Sequence, residues 1–292
     1  MAVPRLMTAM VTPFNADLSV NYAKAAELAE YLCNNGSEGL VVCGTTGESP
    51  VLSDEEKLKL YETVQERVGG RVPVWAGTGC NDTAAVVKLS QAAAKIGVAG
   101  VMVVTPYYNK PTQEGLYQHF RTVAESVSVP VMLYNVPGRT SCNLLPETIA
   151  RLAEVENITA VKEACGSMDQ VSQLLTMIPE RITVYSGDDS VTLPLMALGA
   201  YGVISVASHV IGPAIAEMIA AFVAGEVNKA AQLHRELFAM FKGLFITTNP
   251  IPVKTALNML GHEVGGFRLP LTPAAENEQE FMRALLKRYN LL

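Results

Sequence analysis

A short glycine motif recurs along the chain and constrains its fold more than any other feature. In Gly36–Gly39, Gly97–Gly100 and Gly199–Gly202 a glycine opens and closes a four-residue segment, and a short apolar run follows each copy. A glycine at the first place suits the left-handed turn that ends a helix. The apolar run is typical of a strand buried on both faces of a parallel sheet. The motif therefore predicts repeated helix–turn–strand units.

Five further apolar runs bring the predicted number of strands to eight: Leu6–Val11, Val74–Ala76, Val131–Tyr134, Ile158–Lys162 and Ile182–Ser186. Helical periodicity lies between the strands, as in Tyr22–Asn34, Asp54–Arg67, Thr83–Ile96 and Thr112–Ser126. Alternating units of this number, joined by short loops, favour a closed (β/α)8 barrel, the TIM barrel, over an open doubly wound sheet. No GxGxxG follows the first strand, which weakens the dinucleotide-binding alternative.

The C-terminal part of the chain carries helical patterns and no further strand pattern. The helical patterns cover Gly212–Ala224, Val227–Lys242, Pro252–Leu260 and Ala274–Tyr289. The first of them can close the eighth unit of the barrel. We therefore expect a catalytic barrel domain in residues 1–224 and a C-terminal helical domain in residues 225–292.

Composition bounds the partners and the compartment. The net charge is −6 and no basic run occurs, so nucleic acid is not an expected partner. The chain has five cysteines, an odd number, with no CxxC pair, and its N-terminal sequence lacks the pattern of a signal peptide. These features predict reduced thiols and a cytoplasmic protein.

One uncharged stretch, Ser190–Ala216, is long enough to cross a bilayer. Proline and glycine interrupt it at Pro194, Gly199, Gly202 and Pro213, which are the places where a strand–helix unit needs breaks. We therefore predict a buried helix, strand and turn in this stretch, and no membrane association.

The predicted active site lies at the carboxyl ends of the strands, as in other barrels of this kind. Lys162 ends an apolar strand there, where desolvation favours the free amine that a Schiff base requires. Tyr134 ends the preceding strand, and a phenol beside the amine could carry the protons that Schiff-base formation moves. Position alone also fits a lysine that reaches solvent and a tyrosine at the barrel rim.

Two further segments could bind carboxylates. The turn Gly44–Glu48 offers backbone N–H groups and two hydroxyls, and Arg139 follows Pro137-Gly138 in a turn. An ordinary capped turn and a solvated arginine fit the same residues. The strand ends carry no histidine, and the four histidines show no HxxxH or HxH spacing, so we expect no catalytic metal.

The motifs together resemble those of the dihydrodipicolinate synthase family. They are Gly44–Glu48, Tyr107–Asn109, Tyr134–Arg139, Val161–Glu163 and Asn249–Lys254, and the resemblance covers essentially the whole chain. It implies that Lys162 forms a Schiff base with pyruvate and that Tyr134 donates and accepts protons. It also implies that no cofactor takes part.

The resemblance implies roles for six more residues. Thr46 and the backbone at Ile204 would hold pyruvate, and Gly187 would line the pocket. Thr45 would link Tyr134 to Tyr108 of a neighbouring subunit in a proton relay. Arg139 would bind the carboxylate of the second substrate, L-aspartate 4-semialdehyde.

The implied reaction is the condensation of pyruvate with L-aspartate 4-semialdehyde, a lyase-type reaction of lysine and diaminopimelate biosynthesis. Two alternatives are another pyruvate-dependent Schiff-base lyase, such as N-acetylneuraminate lyase or a keto-sugar-acid aldolase, and a non-catalytic keto-acid sensor. Since Tyr108 would come from a neighbour, we expect at least a homodimer. The segment Val191–Leu198 is apolar nearly all round, which predicts a second interface and a homotetramer.

Overall fold

The computed structural model describes residues 3–292 and contains a closed parallel barrel whose strands follow in chain order. The strands are β1 (Leu6–Ala9), β2 (Gly39–Val42), β3 (Val74–Gly77), β4 (Gly100–Val104), β5 (Val131–Asn135), β6 (Ile158–Glu163), β7 (Thr183–Ser186) and β8 (Gly202–Ser205). The predicted (β/α)8 barrel is therefore confirmed.

Helices follow the strands in alternation and continue after the last strand. Those up to the eighth strand are α1 (Tyr22–Asn34), α2 (Asp54–Val68), α3 (Thr83–Ile96), α4 (Gln113–Glu125), α5 (Pro137–Thr140), α6 (Pro146–Leu152), α7 (Met168–Met177) and α8 (Thr192–Leu198). After it come α9 (Ser208–Val223), α10 (Val227–Gly243), α11 (Ile251–Met259) and α12 (Glu276–Arg288). Two 3-10 turns cover Ser49–Val51 and Asp189–Val191.

The three glycines that open the repeated motif all take the predicted left-handed conformation. Their φ angles are +91° at Gly36, +89° at Gly97 and +117° at Gly199. A side chain is strained at such angles, so glycine ends the helix there at low conformational cost. The strand then begins at the second glycine of each copy, at Gly39, Gly100 and Gly202.

Polar caps fix the start of several helices. Ser53 accepts a hydrogen bond from the backbone N–H of Glu56, and the Glu56 carboxylate accepts from the backbone of Ser53, which completes a capping box at α2. Asp82 caps α3 in the same sense by accepting from the N–H of Ala84. These caps explain why the predicted starts of α2 and α3 agree with the observed ones.

Helix α9 begins at Ser208, four positions before its predicted start at Gly212. Its backbone leaves helical geometry at Ile211, where φ is −126° and ψ is 33°. Pro213 comes directly after this break, in the first turn of the longer helical segment, where its missing N–H is not needed. The periodicity of that longer segment is what the sequence pattern detected.

The uncharged stretch from Ser190 to Ala216 contains the end of the second 3-10 turn, α8, β8 and the first part of α9. None of the helices formed by residues 3–292 is long and apolar enough to span a membrane. The predicted helix, strand and turn are therefore confirmed.

The chain forms two compact units. One comprises the chain up to Pro73 together with Ser205–Leu292, and the other comprises Val74–Ile204. The predicted division into residues 1–224 and 225–292 would fall between α9 and α10, and it stays a prediction.

Strands β3 and β4 are packed closely in the second unit. Trp75 of β3 lies opposite Gly100 of β4, and a Cβ atom at Gly100 would come within 2.4 Å of the indole ring. Glycine at this position therefore leaves the space that the tryptophan ring occupies.

Candidate active site

The ends of β5 and β6 bring Lys162 and Tyr134 together. The two residues are direct partners in the parallel register, and the Nζ atom of Lys162 lies 4.3 Å from the centre of the Tyr134 ring. Both side chains are almost fully buried, each 5% exposed. An amine and a phenol ring therefore lie side by side, away from solvent, at the carboxyl end of the barrel strands.

The surroundings of Lys162 leave its amine without a charged partner. No carboxylate of residues 3–292 lies within ion-pair distance of Nζ. A Cβ atom at Gly187, at the end of β7, would lie 3.2 Å from Cε of Lys162 and 2.8 Å from Cβ of Ala164. Glycine at position 187 thus gives the lysine side chain its space, and the amine can lose its proton without leaving a buried carboxylate unpaired.

The residues that follow this pair carry a polar cluster that the sequence analysis did not assign. Asn135 and Glu163 are register partners, and the Nδ2 atom of Asn135 lies 3.0 Å and 3.2 Å from the two carboxylate oxygens of Glu163. Both residues are buried. The only sequence signal for this cluster was a polar residue directly after Tyr134 and another directly after Lys162. The contacts themselves join segments that are distant along the chain, so no local pattern indicates them.

Arg139 lies in the four-residue helix α5 and is exposed. The segment that carries it is fastened at the next residue. The Thr140 hydroxyl is 3.1 Å from the carbonyl of Val136 and 2.9 Å from that of Cys142, and the Thr105 hydroxyl lies 3.2 Å away. The guanidinium therefore extends into solvent from a fixed backbone.

Tyr108 is the most exposed large hydrophobic side chain of the second unit. It is 88% exposed, and its φ angle of +74° is in the left-handed region, which is uncommon for a tyrosine. No group of residues 3–292 bonds to its hydroxyl. An aromatic ring held outside the chain in this way is suited to contact a neighbouring molecule.

The predicted carboxylate-binding turn belongs to the other compact unit. Thr46 is buried, and its hydroxyl accepts a hydrogen bond of 2.9 Å from Nδ2 of Asn249. Within residues 3–292 the backbone N–H groups of Thr45 and Thr46 have no hydrogen-bond partner. The turn therefore presents the donors that a small carboxylate requires.

A buried ion pair closes this turn. Nζ of Lys254 lies 2.7 Å from Oε1 of Glu48, and both side chains are fully buried. The amine also donates to the carbonyl of Gly266 and lies 4.4 Å from the centre of the Phe14 ring. Burial lowers the pKa of Lys254, and the Glu48 carboxylate opposes that shift. The sequence analysis included both residues in its motifs but did not pair them.

A sequence profile described as the dihydrodipicolinate synthetase family matches residues 2–289. The chain belongs to this family. It is 58% identical to a 4-hydroxy-tetrahydrodipicolinate synthase of Desulforudis audaxviator (strain MP104C) over 99% of this chain and 98% of that protein. The predicted family is therefore confirmed.

Solved structures of the family have the same fold. A dihydrodipicolinate synthase from Bacillus anthracis superposes with a TM-score of 0.95 at 50% identity, over 97% of each chain. One from Aquifex aeolicus superposes with a TM-score of 0.97 at 46% identity, over 99% of each chain. Similarity over the full length of both chains includes the C-terminal helices as well as the barrel.

The predicted site residues therefore fall into three groups. Lys162, Tyr134 and Gly187 lie together at the ends of three neighbouring strands. Arg139 in α5 and Tyr108 in the loop after β4 are exposed in the same unit, and Ile204, the last residue of that unit, is buried. Thr45 and Thr46 belong to the turn of the other unit. The individual roles of these residues stay predictions.

Proposed function

We propose that the protein is a 4-hydroxy-tetrahydrodipicolinate synthase that condenses pyruvate with L-aspartate 4-semialdehyde in lysine and diaminopimelate biosynthesis. Membership of the family and the full-length similarity to named synthases support this function. The observation that carries the chemistry is the buried amine of Lys162 over the ring of Tyr134, at 4.3 Å. No cofactor is needed, because the covalent amine supplies the electron sink.

In the proposed first half-reaction, Nζ of Lys162 attacks the ketone of pyruvate and forms a carbinolamine. Tyr134 delivers a proton to the departing hydroxyl, so that water leaves and an imine remains. Loss of a proton from C3 of the imine gives an enamine. We propose that Thr45 and Tyr108 of a neighbouring subunit relay these protons, and that Thr46, the backbone at Ile204 and the space at Gly187 hold pyruvate.

In the second half-reaction the enamine carbon attacks the aldehyde of the semialdehyde, which becomes a hydroxyl. The amino group of that substrate then attacks the imine carbon, closes the ring and releases Lys162 as the free amine. The product is 4-hydroxy-tetrahydrodipicolinate. Arg139 is proposed to bind the carboxylate of the semialdehyde, since a guanidinium on a fixed backbone suits bidentate binding.

The proposed protein is a homo-oligomer. The exposed ring of Tyr108 supports a dimer in which each subunit completes the relay of the other. Helix α8 ends in Leu198, which is 40% exposed, and this apolar surface supports a second contact and a tetramer. We also propose that the enzyme works in the cytoplasm, which the five free thiols support.

Two assays test the function. Pyruvate with borohydride should give an adduct that mass spectrometry maps to Lys162. An assay with L-aspartate 4-semialdehyde should then show turnover, whereas N-acetylneuraminate and keto-sugar acids should give none. An adduct without turnover of the semialdehyde would indicate a different lyase of this type, and the absence of any adduct would contradict the mechanism.

The role of Arg139 has its own test. Arg139→Ala should reduce kcat/KM for the semialdehyde, because the substrate carboxylate loses its charged partner. The reduction should correspond to a loss of about 2–4 kcal/mol of transition-state stabilisation. The rate of pyruvate adduct formation should stay close to that of the wild type. Equal damage to both steps, or none, would contradict a role in binding the second substrate.

A further inference from the structure

The proposed mechanism leaves one buried carboxylate without a task. Glu163 follows Lys162 directly in β6 and is 1% exposed. Successive side chains of a strand point to opposite faces, so Glu163 is directed away from the face that carries Lys162. Burial raises its pKa, and no cation of residues 3–292 lies against it. A buried acid without a cation is costly, which indicates that its acceptor oxygens are needed.

Backbone and side-chain amides satisfy Glu163. Nδ2 of Asn135 is 3.0 Å from Oε1 and 3.2 Å from Oε2, and the backbone N–H of Cys165 donates to Oε1 at 2.8 Å. All these partners are donors, so position 163 requires a group that only accepts. A carboxylate meets this requirement, whereas a carboxamide would turn an NH2 group toward one of the donors.

Asn135 connects this carboxylate to the loop that carries Arg139. The side-chain oxygen of Asn135 accepts from the backbone N–H of Leu144 at 2.9 Å, and its NH2 group also donates to Oδ1 of Asn143 at 2.8 Å. One fully buried amide therefore joins the end of β5, the end of β6 and the far end of the loop that holds Arg139.

The joined segments carry the proposed reacting groups. Tyr134 and Lys162 are register partners, and the next pair in the same register is Asn135 with Glu163. The backbone N–H of Ala164 donates to the carbonyl of Asn135 at 2.9 Å, which continues the ladder beyond the side-chain pair. A shift at the outer pair would therefore move the inner pair of amine and phenol.

We propose that Asn135 and Glu163 are positioning residues for the Schiff-base chemistry. From the outer face of β5 and β6 they hold the Lys162 amine, the Tyr134 phenol and the Arg139 loop in one arrangement. This inference rests on the proposed roles of Lys162 and Tyr134. It adds that the Glu163 carboxylate is required for its acceptor geometry and does not take part in proton transfer.

The test begins with Glu163→Gln, which keeps size and shape and replaces one acceptor by a donor. We expect kcat to fall by about 10–100-fold, since small displacements of reacting groups have effects of this size. The borohydride-trapped adduct with pyruvate should form more slowly by a similar factor, while KM for pyruvate changes little. The melting temperature should stay within about 5 °C of that of the wild type.

The decisive variant is the double change Asn135→Asp with Glu163→Gln. It exchanges donor and acceptor across the pair, because the new amide at 163 donates to the new carboxylate at 135. The carboxylate still accepts from Leu144, and Asn143 can turn its amide over, because Gln170, its other partner, is also an amide. We expect the double variant to recover at least about tenfold in kcat over Glu163→Gln. Asn135→Asp alone should be the most damaged, because two buried carboxylates would then meet.

Two controls separate positioning from stability. Ile149→Val removes one methylene from a buried position of α6 in the same unit, and it should lower the melting temperature by a few degrees without changing kcat. Glu154→Gln changes an exposed carboxylate of that unit and should change neither quantity.

Several results would overturn the inference. They are a wild-type kcat in Glu163→Gln, a double variant that is no more active than Glu163→Gln, and a double variant that does not fold. The position of the pyruvate adduct in the wild-type protein shows whether the positioning role or the proposed function is wrong. If the adduct is on Lys162 and Glu163→Gln forms it at the normal rate, only the positioning role is wrong. If the adduct is on another lysine, the proposed site itself is wrong.

Discussion

The two compact units each bury a lysine, and the two lysines have opposite surroundings. Lys254 in the first unit is paired with Glu48 at 2.7 Å and is enclosed further by the rings of Phe14 and Phe267. Lys162 in the second unit is also buried, and its amine lies beside the Tyr134 ring; no carboxylate of residues 3–292 forms an ion pair with it.

The difference shows that burial alone does not make a nucleophile. If Lys254 lost its proton, Glu48 would remain as an unpaired buried charge, so the ion pair opposes the loss of the proton that burial favours. If Lys162 loses its proton, no buried charge is left behind. The same side chain therefore acts as a structural cation in one region and as the proposed reacting amine in the other.

The largest expected contrast comes from removing the amine of Lys162. Lys162→Ala should abolish the pyruvate adduct and reduce kcat by at least about 10⁴-fold, because no other group replaces the nucleophile. Its free energy of unfolding should stay near that of the wild type, since no ion pair is lost. Mass spectrometry measures the pyruvate adduct, and urea unfolding measures the free energy of unfolding. An adduct on another residue of Lys162→Ala would contradict the expected contrast between the two lysines.

The matching change in the other unit should damage the fold. Lys254→Met leaves Glu48 buried without its cation, which we expect to lower the free energy of unfolding by about 3–5 kcal/mol. The protein that remains folded should still form the adduct on Lys162. Urea unfolding combined with adduct mapping tests both expectations.

A double variant sharpens this result. Glu48→Gln combined with Lys254→Met removes both charges, so it should be more stable than Lys254→Met alone. If the double variant is as unstable as the single one, the loss comes from packing and the ion pair has no special part in it.

Acid should weaken both units through buried neutral histidines. Burial lowers the pKa of His209 in the first unit to about 4, with a smaller contribution from the charge of His262, and burial lowers that of His119 in the second unit to about 4. The unfolded chain takes up these protons near pH 6.5, before the folded chain does. Stability is therefore lost as the pH falls from about 6.5 to about 4, by about 3 kcal/mol for each histidine.

The measurement is urea unfolding at several pH values for the wild type, His209→Gln and His119→Gln. In each variant the free energy of unfolding should fall less steeply at acid pH than in the wild type, because glutamine does not titrate. Each variant should remove only the contribution of the histidine that it replaces. At His209, glutamine also keeps an acceptor for the N–H of Val11, which now bonds to the histidine ring at 3.2 Å. An unchanged acid branch in either variant would assign the loss to other groups.

The smallest expected effect concerns the ring beside Lys254. Phe14→Leu removes an aromatic face that lies 4.4 Å from the amine of Lys254 and 4.7 Å from the guanidinium of Arg268. We expect a loss of about 1–2 kcal/mol in the free energy of unfolding and no change in kcat. A loss of activity comparable to that of Lys162→Ala would show that the two regions are not as separate in function as the two lysines indicate.

The sequence predicted the strands and most helices well, because their signals are local. Helices α1 and α3 have their predicted bounds. A capping side chain precedes the first residue of each helix, and a glycine follows soon after its last residue. The start of α9 was wrong by four residues, because a backbone break at Ile211 separates a short first turn from the periodic segment.

The site was predictable only in part. Lys162 and Tyr134 could be paired because consecutive parallel strands end side by side. The pairing of Glu48 with Lys254, 206 positions apart, has no local signal. Asn135 and Glu163 stand next to the predicted residues, yet their role depends on the opposite face of the strands and on a loop that ends at Leu144. Such contacts follow from packing, which spacing along the chain does not specify.

The close packing of Trp75 against Gly100 also bears on the fluorescence of this protein. Trp75 is the only tryptophan in the chain, and it belongs to the same unit as Lys162. Its fluorescence, excited selectively, is therefore a native optical label for the region that carries the proposed nucleophile, whereas circular dichroism sums over the helices of both units. Recorded together during unfolding, the two signals can distinguish a variant such as Lys254→Met that acts first on the other unit, without any dye attached.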